Sequence, residues 1–400
     1  MNLHLIPDNG FLNRFIDITN RISAVQNNYL ICSTPHPFSV PGKKKLLRDD
    51  VKIAHYGSKS FYDLIGDINR YEKIFIHFLS DQLCDFVNRN SESHAKFFWI
   101  FWGADFYTPL EFFAAEIFDE DSMTYYRRHG TFASTNNRLV DALKRAKRIF
   151  IQPFIYQRRV ERRRKAIDRI NYFLHYNPFD FEVVKKFFPT NAAFHYFFYY
   201  EFDYASPPDT SSEAVKDFRQ RFSLRAPLII QLGNSASLSN NHLGALKALS
   251  RFANEDFQIV CPLSYGDRKY AQYVIEIGSK LFGDKFIPVT TYLPKEDYLS
   301  LLQCIDIGVM NHRRSEGGAN TVMLLAMGKK VFMPDENALN KFLNSNSIHI
   351  YSPRNFTKQS FAEFSMLLSS EQKSSNQSRV AAIFSPQRAE ELMIKVENLK

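Results

Sequence analysis

The sequence has few cysteines, and it lacks any apolar run long enough to cross a membrane as a helix. Its cysteines, Cys32, Cys84, Cys261 and Cys304, lie far apart and have no histidine at metal-ligand spacing. We therefore expect reduced, buried thiols, without a disulfide framework or a zinc site. A membrane-spanning helix needs about 18 consecutive apolar residues. The N-terminal MNLHLIPDNG has neither the basic region nor the cleavage site of a secretory signal.

Glycine and proline are also scarce, with 15 and 17 among 400 residues, which excludes a collagen-like or low-complexity chain. Hydrophobic residues make up 45% of the chain, so it is not intrinsically disordered. Aromatic residues are abundant at 15%, which predicts cores rich in rings. The length exceeds the roughly 100–200 residues of a typical domain, so we expect two domains.

The order of apolar segments predicts two α/β domains. Short runs such as NLHLI, YLICS, KIFIHF and KFFWIFW alternate with helical patterns, and the alternation restarts at PLIIQL after a Pro/Ser/Asp-rich linker at 206–213. Such alternation is typical of parallel sheets with helices on both faces. We expect two Rossmann-like domains, over 1–205 and 206–375, facing a central cleft. A C-terminal helix within 376–400 could cross back to the first domain.

Positive charge is concentrated in one segment. Residues 138–165 contain eleven Lys or Arg and two acidic residues, an excess equal to the net charge of +9 of the whole chain. Apolar spacing predicts a helix over 139–150, which Pro153 ends or kinks, followed by a second basic helix. The segment fits a solvated helix face, an anionic membrane surface or a nucleic acid. From the residues alone the solvated face is favoured, and nucleic acid ranks last because no binding motif accompanies the charge.

Four loops of the second half follow predicted strands, where parallel sheets bind ligands. Paired glycines at 317–318 open a helix, whose free N–H groups and dipole favour a diphosphate. Glu316 could hold a ribose or sugar hydroxyl, and Arg313 or Arg314 could neutralise phosphate charge. The predicted nucleotide-binding residues are Gly233, Asn234, Ser235, Tyr265, Tyr292, Arg313, Glu316, Gly317, Gly318, Asn320 and Thr321. Neither a Walker A motif nor a GxGxxG fingerprint occurs, which argues against an NTPase and a dehydrogenase.

Strand ends of the first half supply the candidate catalytic residues, His77 and Asp105. An aspartate in an aromatic loop can have a raised pKa and serve in acid–base chemistry, or it can bind a sugar hydroxyl. For His77, a satisfied core histidine is an equally good interpretation. The predicted substrate-binding residues are Asp8, Trp102, Gly103 and Tyr107.

These segments resemble a known family. FFWIFWGADFY, at 97–107, resembles the WGADxY signature of the bacterial transferases that add 4-acetamido-4,6-dideoxygalactose from its dTDP-sugar to the polyprenyl-linked precursor of enterobacterial common antigen. IIQLGNSASLSNNHLGALKAL, at 229–249, is similar to their strand–GNS–helix segment. Further similar blocks, in the same order, are IFIH ending at His77, the loop near Asp8, VCPLSYG at 260–266, and residues 297–308 and 317–328. The chain departs from the family's Gly-x-Gly-Thr, with GGAN at 317–320.

The resemblance implies a metal-independent GT-B glycosyltransferase without a cofactor. The nucleotide-sugar donor would bind the C-terminal domain and a polyprenyl-diphosphate-linked saccharide the N-terminal one. With the resemblance added, membrane docking through 138–165 is preferred, and the expected location is peripheral, on the cytoplasmic face of the bacterial inner membrane. The contrasting hypotheses are a non-catalytic protein that binds nucleic acid or anionic lipid, and a glycosyltransferase with a soluble acceptor.

Overall fold

The computed structural model describes residues 1–8, 12–32, 48–107, 110–129, 152–199, 203–204, 206 and 213–399. The chain forms two compact units. Unit 1 comprises Met1–Phe113, Thr131–Phe202 and Pro386–Lys400, and unit 2 comprises Ala114–Gly130 and Asp203–Ser385. The division expected from the sequence differs at three places, because it left 114–130 and 203–205 in the first domain and 376–385 with the C-terminal helix.

The strands are short and apolar. They are β1 (Asn2–Ile6), β2 (Asn27–Cys32), β3 (Val51–Ala54), β4 (Lys73–His77), β5 (Lys96–Ile100), β6 (Tyr172–Leu174), β7 (Ala193–His195), β8 (Ile229–Leu232), β9 (Gln258–Pro262), β10 (Phe286–Val289), β11 (Ile307–Val309) and β12 (Lys330–Phe332). Every residue of β1, β4, β8 and β11 is buried, as expected for inner strands of a parallel sheet covered on both faces.

The helices connect successive strands. In chain order they are α1 (Leu12–Ile22), α2 (Lys59–Ile65), α3 (Asp81–Arg89), α4 (Leu110–Ile117), α5 (Glu120–His129), α6 (Gln152–Asp168), α7 (Pro178–Phe187), α8 (Glu213–Arg221), α9 (His242–Leu249), α10 (Arg268–Phe282), α11 (Lys295–Cys304), α12 (Gly318–Ala326), α13 (Ala338–Ser345), α14 (Phe361–Ser365), α15 (Ser370–Phe384) and α16 (Pro386–Glu397). Side-chain caps define several starts: Ser80 accepts from the Leu83 amide at α3, and Asp267 accepts from two amides at α10.

Unit 1 has a seven-stranded parallel sheet in the order β3-β2-β1-β4-β5-β6-β7. The chain runs from β1 towards one edge and from β4 towards the other, so β1 and β4 flank a topological switch point. Ligands of open α/β sheets bind outside the carboxyl ends of such strands. Aromatic residues fill the layers, with the rings of Phe75 and Phe98 4.7 Å apart and those of Trp99 and Phe173 5.2 Å apart.

Unit 2 repeats this plan with a five-stranded parallel sheet in the order β10-β9-β8-β11-β12. Its switch point lies between β8 and β11. The alternation read from the sequence is confirmed in both units as two parallel α/β sheets. The helix expected over 139–150 lies outside the described residues, and the second basic helix is α6.

Helix α16, the end of the chain, packs within unit 1. The Glu397 carboxylate accepts hydrogen bonds from Asn2 Nδ2 at 3.2 Å and Ser23 Oγ at 3.1 Å, and Lys73 donates to the Glu397 carbonyl. Arg21 of α1 forms an ion pair with Glu390 at 2.8 Å. Among the described helices, none has the length and apolar character to traverse a bilayer.

Candidate active site

His77 ends β4 at the switch point of unit 1 and is buried. Its Nε2 lies 3.1 Å from Nδ1 of His4 in β1, and its Nδ1 contacts the Tyr199 hydroxyl. Burial lowers the pKa of His77 well below its ordinary value and lowers the pKa of His4 to about 3. Both imidazoles are therefore neutral near pH 7. With both nitrogens occupied, His77 resembles the satisfied core histidine of the alternative interpretation, and any catalytic effect must pass through a neighbour.

Asp105 follows β5 and is also buried. Its Oδ2 accepts from Trp99 Nε1 at 2.7 Å and the Leu79 amide at 3.0 Å, and its Oδ1 accepts from the Trp102 amide at 3.2 Å. Burial raises the pKa of Asp105, as expected from the sequence, although these donors and Arg163 oppose the shift. The carboxylate holds the loops after β4 and β5 together. This geometry favours a structural role for Asp105 over a direct acid–base role.

An arginine from α6 braces the same loops. Arg163 donates to the carbonyls of Asp105 at 2.7 Å and Leu79 at 3.2 Å, and it forms an ion pair with Asp81 at 3.0 Å. Within the loop that these contacts fix, Phe78 has a φ of 83°, which strains a residue with a Cβ. Strain of this kind persists where surrounding contacts over-determine the backbone, and it is frequent at functional sites.

The remaining candidates of unit 1 separate into exposed and buried groups. Asp8 is exposed after β1, and Trp102 is half-buried, with its ring 6.0 Å from the rings of Phe78 and Tyr199. Gly103 is buried with a φ of 80°, as the tight turn requires. Tyr107 packs in the core, with its ring 4.9 Å from that of Phe106 and 5.2 Å from that of Phe113. Tyr107 therefore does not fit the predicted contact with substrate.

At the switch point of unit 2, the loop after β8 requires glycine. Gly233 has a φ of 65°, and a Cβ there would lie 2.6 Å from both Asn240 Oδ1 and His242 Nε2. The next amide, of Asn234, donates to Asn240 Oδ1 at 2.8 Å. Asn234 Nδ2 donates to the Tyr265 hydroxyl at 3.0 Å, which joins the loops after β8 and β9.

Helix α12 begins beside this loop. Gly317, its N-cap, has a φ of 62°, and a Cβ there would lie 3.1 Å from Asn234 Oδ1. Asn234 Oδ1 and Thr321 Oγ1 are buried and have no hydrogen-bond partner among the described residues. A helix N-terminus with nearby unpaired polar atoms and no side-chain cap suits an anionic group.

A buried ion pair supports the same loops. Arg314 Nη2 lies 2.9 Å from Glu316 Oε2, which also accepts from Ser239, and Asn240 Nδ2 lies 3.4 Å from Glu316 Oε1. Burial alone would raise the pKa of Glu316, but the charge of Arg314, together with His312 and hydrogen bonds from two serines, outweighs burial, and the net shift is downward. Glu316 is therefore ionised at neutral pH, and its contacts are internal to the unit.

Three other predicted nucleotide contacts have different surroundings. Arg313 lies 3.2 Å from Glu336 and donates to the Phe118 carbonyl at 2.8 Å, so its guanidinium is engaged away from the N-terminus of α12. Asn320 accepts from the Tyr298 hydroxyl at 2.8 Å. Tyr292 is exposed after β10, where its ring is accessible for stacking.

Sequence reasoning missed four polar residues that this site brings together. They are Ser239, Asn240, His242 and His312. All are buried, and neither ring nitrogen of His312 has a hydrogen-bond partner within the described ranges. For the first three of these, the polar run SLSNNH at 237–242, one residue after GNS, was the available signal, since buried polar residues in a strand-to-helix loop need a structural or ligand partner. Groups of three or more potential metal ligands do not occur in the described parts of the chain.

Solved structures with the same fold include glycosyltransferases. A Rickettsia africae glycosyltransferase matches with a TM-score of 0.62 at 13% identity, covering 99% of this chain and 96% of that one. Anabaena HepE, solved with UDP and glucose, matches with a TM-score of 0.63 at 10% identity over 100% and 99% of the chains. WaaG, a glycosyltransferase of lipopolysaccharide biosynthesis, matches with a TM-score of 0.59 at 9% identity over 100% and 99%. The expected GT-B fold is confirmed.

The protein is therefore a GT-B enzyme of the hexosyltransferase class, and the contrasting hypothesis of a non-catalytic binding protein is wrong. Residues 198–395 match the model of one glycosyltransferase family, described as 4-alpha-L-fucosyltransferase, glycosyl transferase group 56. The match spans the 203–385 part of unit 2, including the loops after β8 and β9 and the start of α12, and most of α16, but not the 114–130 part of unit 2.

Proposed function

We propose that this enzyme transfers a 4-acetamido-dideoxyhexose-type sugar from a dTDP-linked donor to a polyprenyl-diphosphate-linked saccharide in cell-surface polysaccharide synthesis. The family description supports the sugar class, because fucose and 4-acetamido-4,6-dideoxygalactose are both 6-deoxyhexoses. The WGADFY and GNS segments support the finer assignment through the resemblance noted above. One observation carries the donor site: the Gly233 loop and the N-terminus of α12 meet at the switch point of unit 2.

The donor's diphosphate would lie against the N-terminus of α12. Glycines at 233 and 317 leave the backbone open to close approach, and the helix dipole stabilises negative charge as the nucleoside diphosphate departs. Arg314 contributes less positive charge than the sequence suggested, since Glu316 neutralises it. HepE, solved with UDP and glucose, supports a nucleotide-sugar donor for the fold.

Helix α6 supports a peripheral membrane role. Phe154 and Ile155, in its first turn, are 55% and 50% exposed, and the Arg158 guanidinium lies 4.2 Å above the Phe154 ring. Arg164 and Lys165 are also exposed. Exposed rings beside basic side chains suit an interface of anionic lipid headgroups. Residues 138–165 offer fewer charges for membrane binding than their eleven basic side chains implied, because Arg163 is buried and Arg159 pairs with Asp81.

Reversing the exposed charges tests this docking. We expect the triple variant Arg158→Glu, Arg164→Glu, Lys165→Glu to lose most binding to phosphatidylglycerol vesicles, since each basic residue near the surface contributes about 1 kcal/mol. Transfer to a lipid-linked acceptor should slow, while donor hydrolysis should persist. Co-sedimentation at low and high salt measures binding, which salt should weaken in the wild type.

The matched control reverses three exposed lysines of unit 2, Lys216, Lys247 and Lys280, and changes the net charge by the same amount. It should bind vesicles more tightly than the α6 variant. Equal binding of the two variants would show a nonspecific charge effect. Wild-type binding by the α6 variant would show that α6 is a solvated helix face without a docking role.

A donor and acceptor panel tests the function itself. Purified enzyme is incubated with dTDP-4-acetamido-4,6-dideoxygalactose, UDP-glucose or GDP-fucose, and with either a polyprenyl-diphosphate disaccharide or the same disaccharide free in solution. We expect transfer from the dTDP-sugar to the lipid-linked disaccharide. Preference for another donor would overturn the sugar assignment, and equal transfer to the free disaccharide would support the soluble-acceptor alternative.

A further inference from the structure

Two buried histidines of unit 2 lie against the glycines of the nucleotide loops. A Cβ at Gly317 would lie 3.2 Å from His312 Cε1, and a Cβ at Gly233 would lie 2.6 Å from His242 Nε2. Cε1 is the ring carbon between the two nitrogens, so the nitrogen-bearing edge of His312 faces the N-cap of α12. His312 reaches this position from the loop after β11, and His242 reaches the loop after β8 from the first turn of α9.

These two imidazoles have hydrogen-bonding capacity that the protein does not use. Both side chains are completely buried. Across the described ranges, neither ring nitrogen of His312 has a hydrogen-bond partner, and His242 Nε2 has none either. His242 Nδ1, in contrast, lies 3.3 Å from the Tyr270 hydroxyl. A buried polar group without a partner lowers stability, so the two nitrogens of His312 need either a ligand or an ordered water.

Both histidines are neutral near pH 7. Burial lowers the pKa of His312 to about 4, with Glu316 opposing the shift and Arg314 adding to it. Burial also lowers the pKa of His242 to about 3, and the neighbouring His312 adds to that shift. A neutral imidazole carries one N–H donor and one acceptor nitrogen. His312 can therefore donate one hydrogen bond without a positive charge.

A phosphate group suits the unused donor of His312. Phosphate oxygens accept hydrogen bonds, and the start of α12 beside the ring offers backbone N–H groups and the positive end of the helix dipole. Helix α12 has nine residues and no side-chain cap. The two arginines that the sequence assigned to phosphate, Arg313 and Arg314, are both paired with glutamates. A diphosphate at this helix would therefore need a donor other than these arginines.

We propose that His312 contacts the donor's diphosphate and donates a hydrogen bond to one of its oxygens at the start of α12. The inference rests on the proposed function for the presence of a nucleoside diphosphate at this helix. His312 is then a binding residue that sequence reasoning missed. Its unpaired nitrogens lower the stability of the ligand-free enzyme and gain their partner when the donor binds.

Removing both ring nitrogens provides the primary test. His312→Leu keeps a side chain of similar size in the buried site and leaves no unpaired nitrogen. It should weaken dTDP binding about ten-fold or more, the usual effect of losing a hydrogen bond to a charged group, while the melting temperature of the ligand-free enzyme stays at the wild-type value or rises. A histidine that only supports the fold would give a lower melting temperature and unchanged affinity. Titration calorimetry and thermal unfolding measure the two quantities.

Two further variants separate a lost hydrogen bond from local repacking. His312→Gln keeps an amide donor, so it should weaken dTDP binding less than His312→Leu does. Met310→Leu changes a completely buried apolar side chain two residues before His312, and it should bind dTDP as the wild type does. Equal losses of affinity in His312→Leu and His312→Gln would overturn the hydrogen bond. Wild-type affinity in His312→Leu would also overturn it and would leave His312 with an ordered water as its only partner.

Failure of this contact can be distinguished from failure of the proposed function. The wild type is first titrated with dTDP, UDP and GDP, and the variants are measured with whichever binds most tightly. Preference for UDP or GDP would overturn only the dTDP assignment, whereas binding of none of the three would overturn the donor site and the His312 contact together. Weak binding by Gly317→Val, which blocks the start of α12, with wild-type affinity in His312→Leu would overturn only the contact.

Discussion

Glu316→Gln is expected to destabilise unit 2 by about 3–5 kcal/mol, the usual cost of leaving one partner of a buried ion pair uncompensated. The side chains of Arg314 and Glu316 are only 10% and 13% exposed, so water cannot replace the lost charge. The amide also keeps only one acceptor oxygen, so it cannot accept from both Ser239 and Asn240 as Glu316 does. Urea-dependent hydrogen exchange of unit 2 peptides is the measurement, because both tryptophans of the chain lie in unit 1.

A neighbouring pair supplies the control for this prediction. Arg313 and Glu336 form a similar contact at 3.2 Å, but their side chains are 33% and 34% exposed. Glu336→Gln should therefore cost no more than about 1 kcal/mol, as exposed ion pairs do. Equal losses for the two variants would contradict the assignment of the Arg314–Glu316 pair as the internal brace of the nucleotide loops.

The stability difference between wild type and Glu316→Gln should also depend on pH. Burial alone would raise the pKa of Glu316, but Arg314, His312 and the hydrogen bonds from Ser239 and Ser237 together hold the pKa below the ordinary 4.5. A carboxylate with a depressed folded pKa stabilises the protein above its unfolded pKa and loses that contribution as the pH falls through the folded value. The stability difference between wild type and Glu316→Gln should therefore be full near pH 7 and should shrink below pH 4.5.

Arg163→Met is expected to destabilise unit 1 by about 3–5 kcal/mol, although it keeps most of the side-chain length. The guanidinium is 1% exposed, and without it two buried carbonyls, of Leu79 and Asp105, lose their donor. The buried Asp105 carboxylate also loses a nearby positive charge. Trp99 donates to Asp105, so tryptophan fluorescence during urea unfolding reports directly on this region.

The adjacent Arg164 is the matched control. Its side chain is 53% exposed and pairs with Glu161 one helical turn away. Arg164→Met should change stability by less than about 0.5 kcal/mol. If Arg163→Met lowers the free energy of unfolding as little as Arg164→Met does, Arg163 does not brace these loops. It would then be part of the exposed basic surface that the sequence suggested.

The fold was largely predictable because its signals are local. Runs such as IIQL and KIFIH are short, apolar and bounded by polar loops, and both form strands that are buried throughout. The helix beginning at Gly318 also follows from local composition, whereas most of the expected linker at 206–213 lies outside the described residues. The assignment of 114–130 to unit 2 was not predictable, since it depends on long-range contacts such as that from the Asp119 amide to Asn241 Oδ1.

The positions of the candidate site residues at strand ends were predictable, but their contacts were not. Strand ends identified His77, Asp105, Gly233 and Gly317, because parallel sheets place such residues together. Their environments could not be predicted, since partners come from distant segments: Asp105 is braced by Arg163 from α6, and His77 by His4 from β1. In the basic segment, spacing could not reveal that Arg163 faces inward while Arg164 faces solvent.

Calorimetric titration of dTDP tests whether the donor's diphosphate binds at the start of α12, as we propose. Gly317→Val should weaken binding about ten-fold or more, equivalent to about 1.4 kcal/mol, because a Cβ there lies 3.1 Å from Asn234 Oδ1 and occupies the approach to the helix N-terminus. Gly283→Val is the control, since Gly283 also has a positive φ, of 55°, but a Cβ there meets nothing within 4 Å. We expect wild-type affinity for Gly283→Val and weak binding for Gly317→Val. Equal dTDP affinity in all three proteins would contradict this proposal.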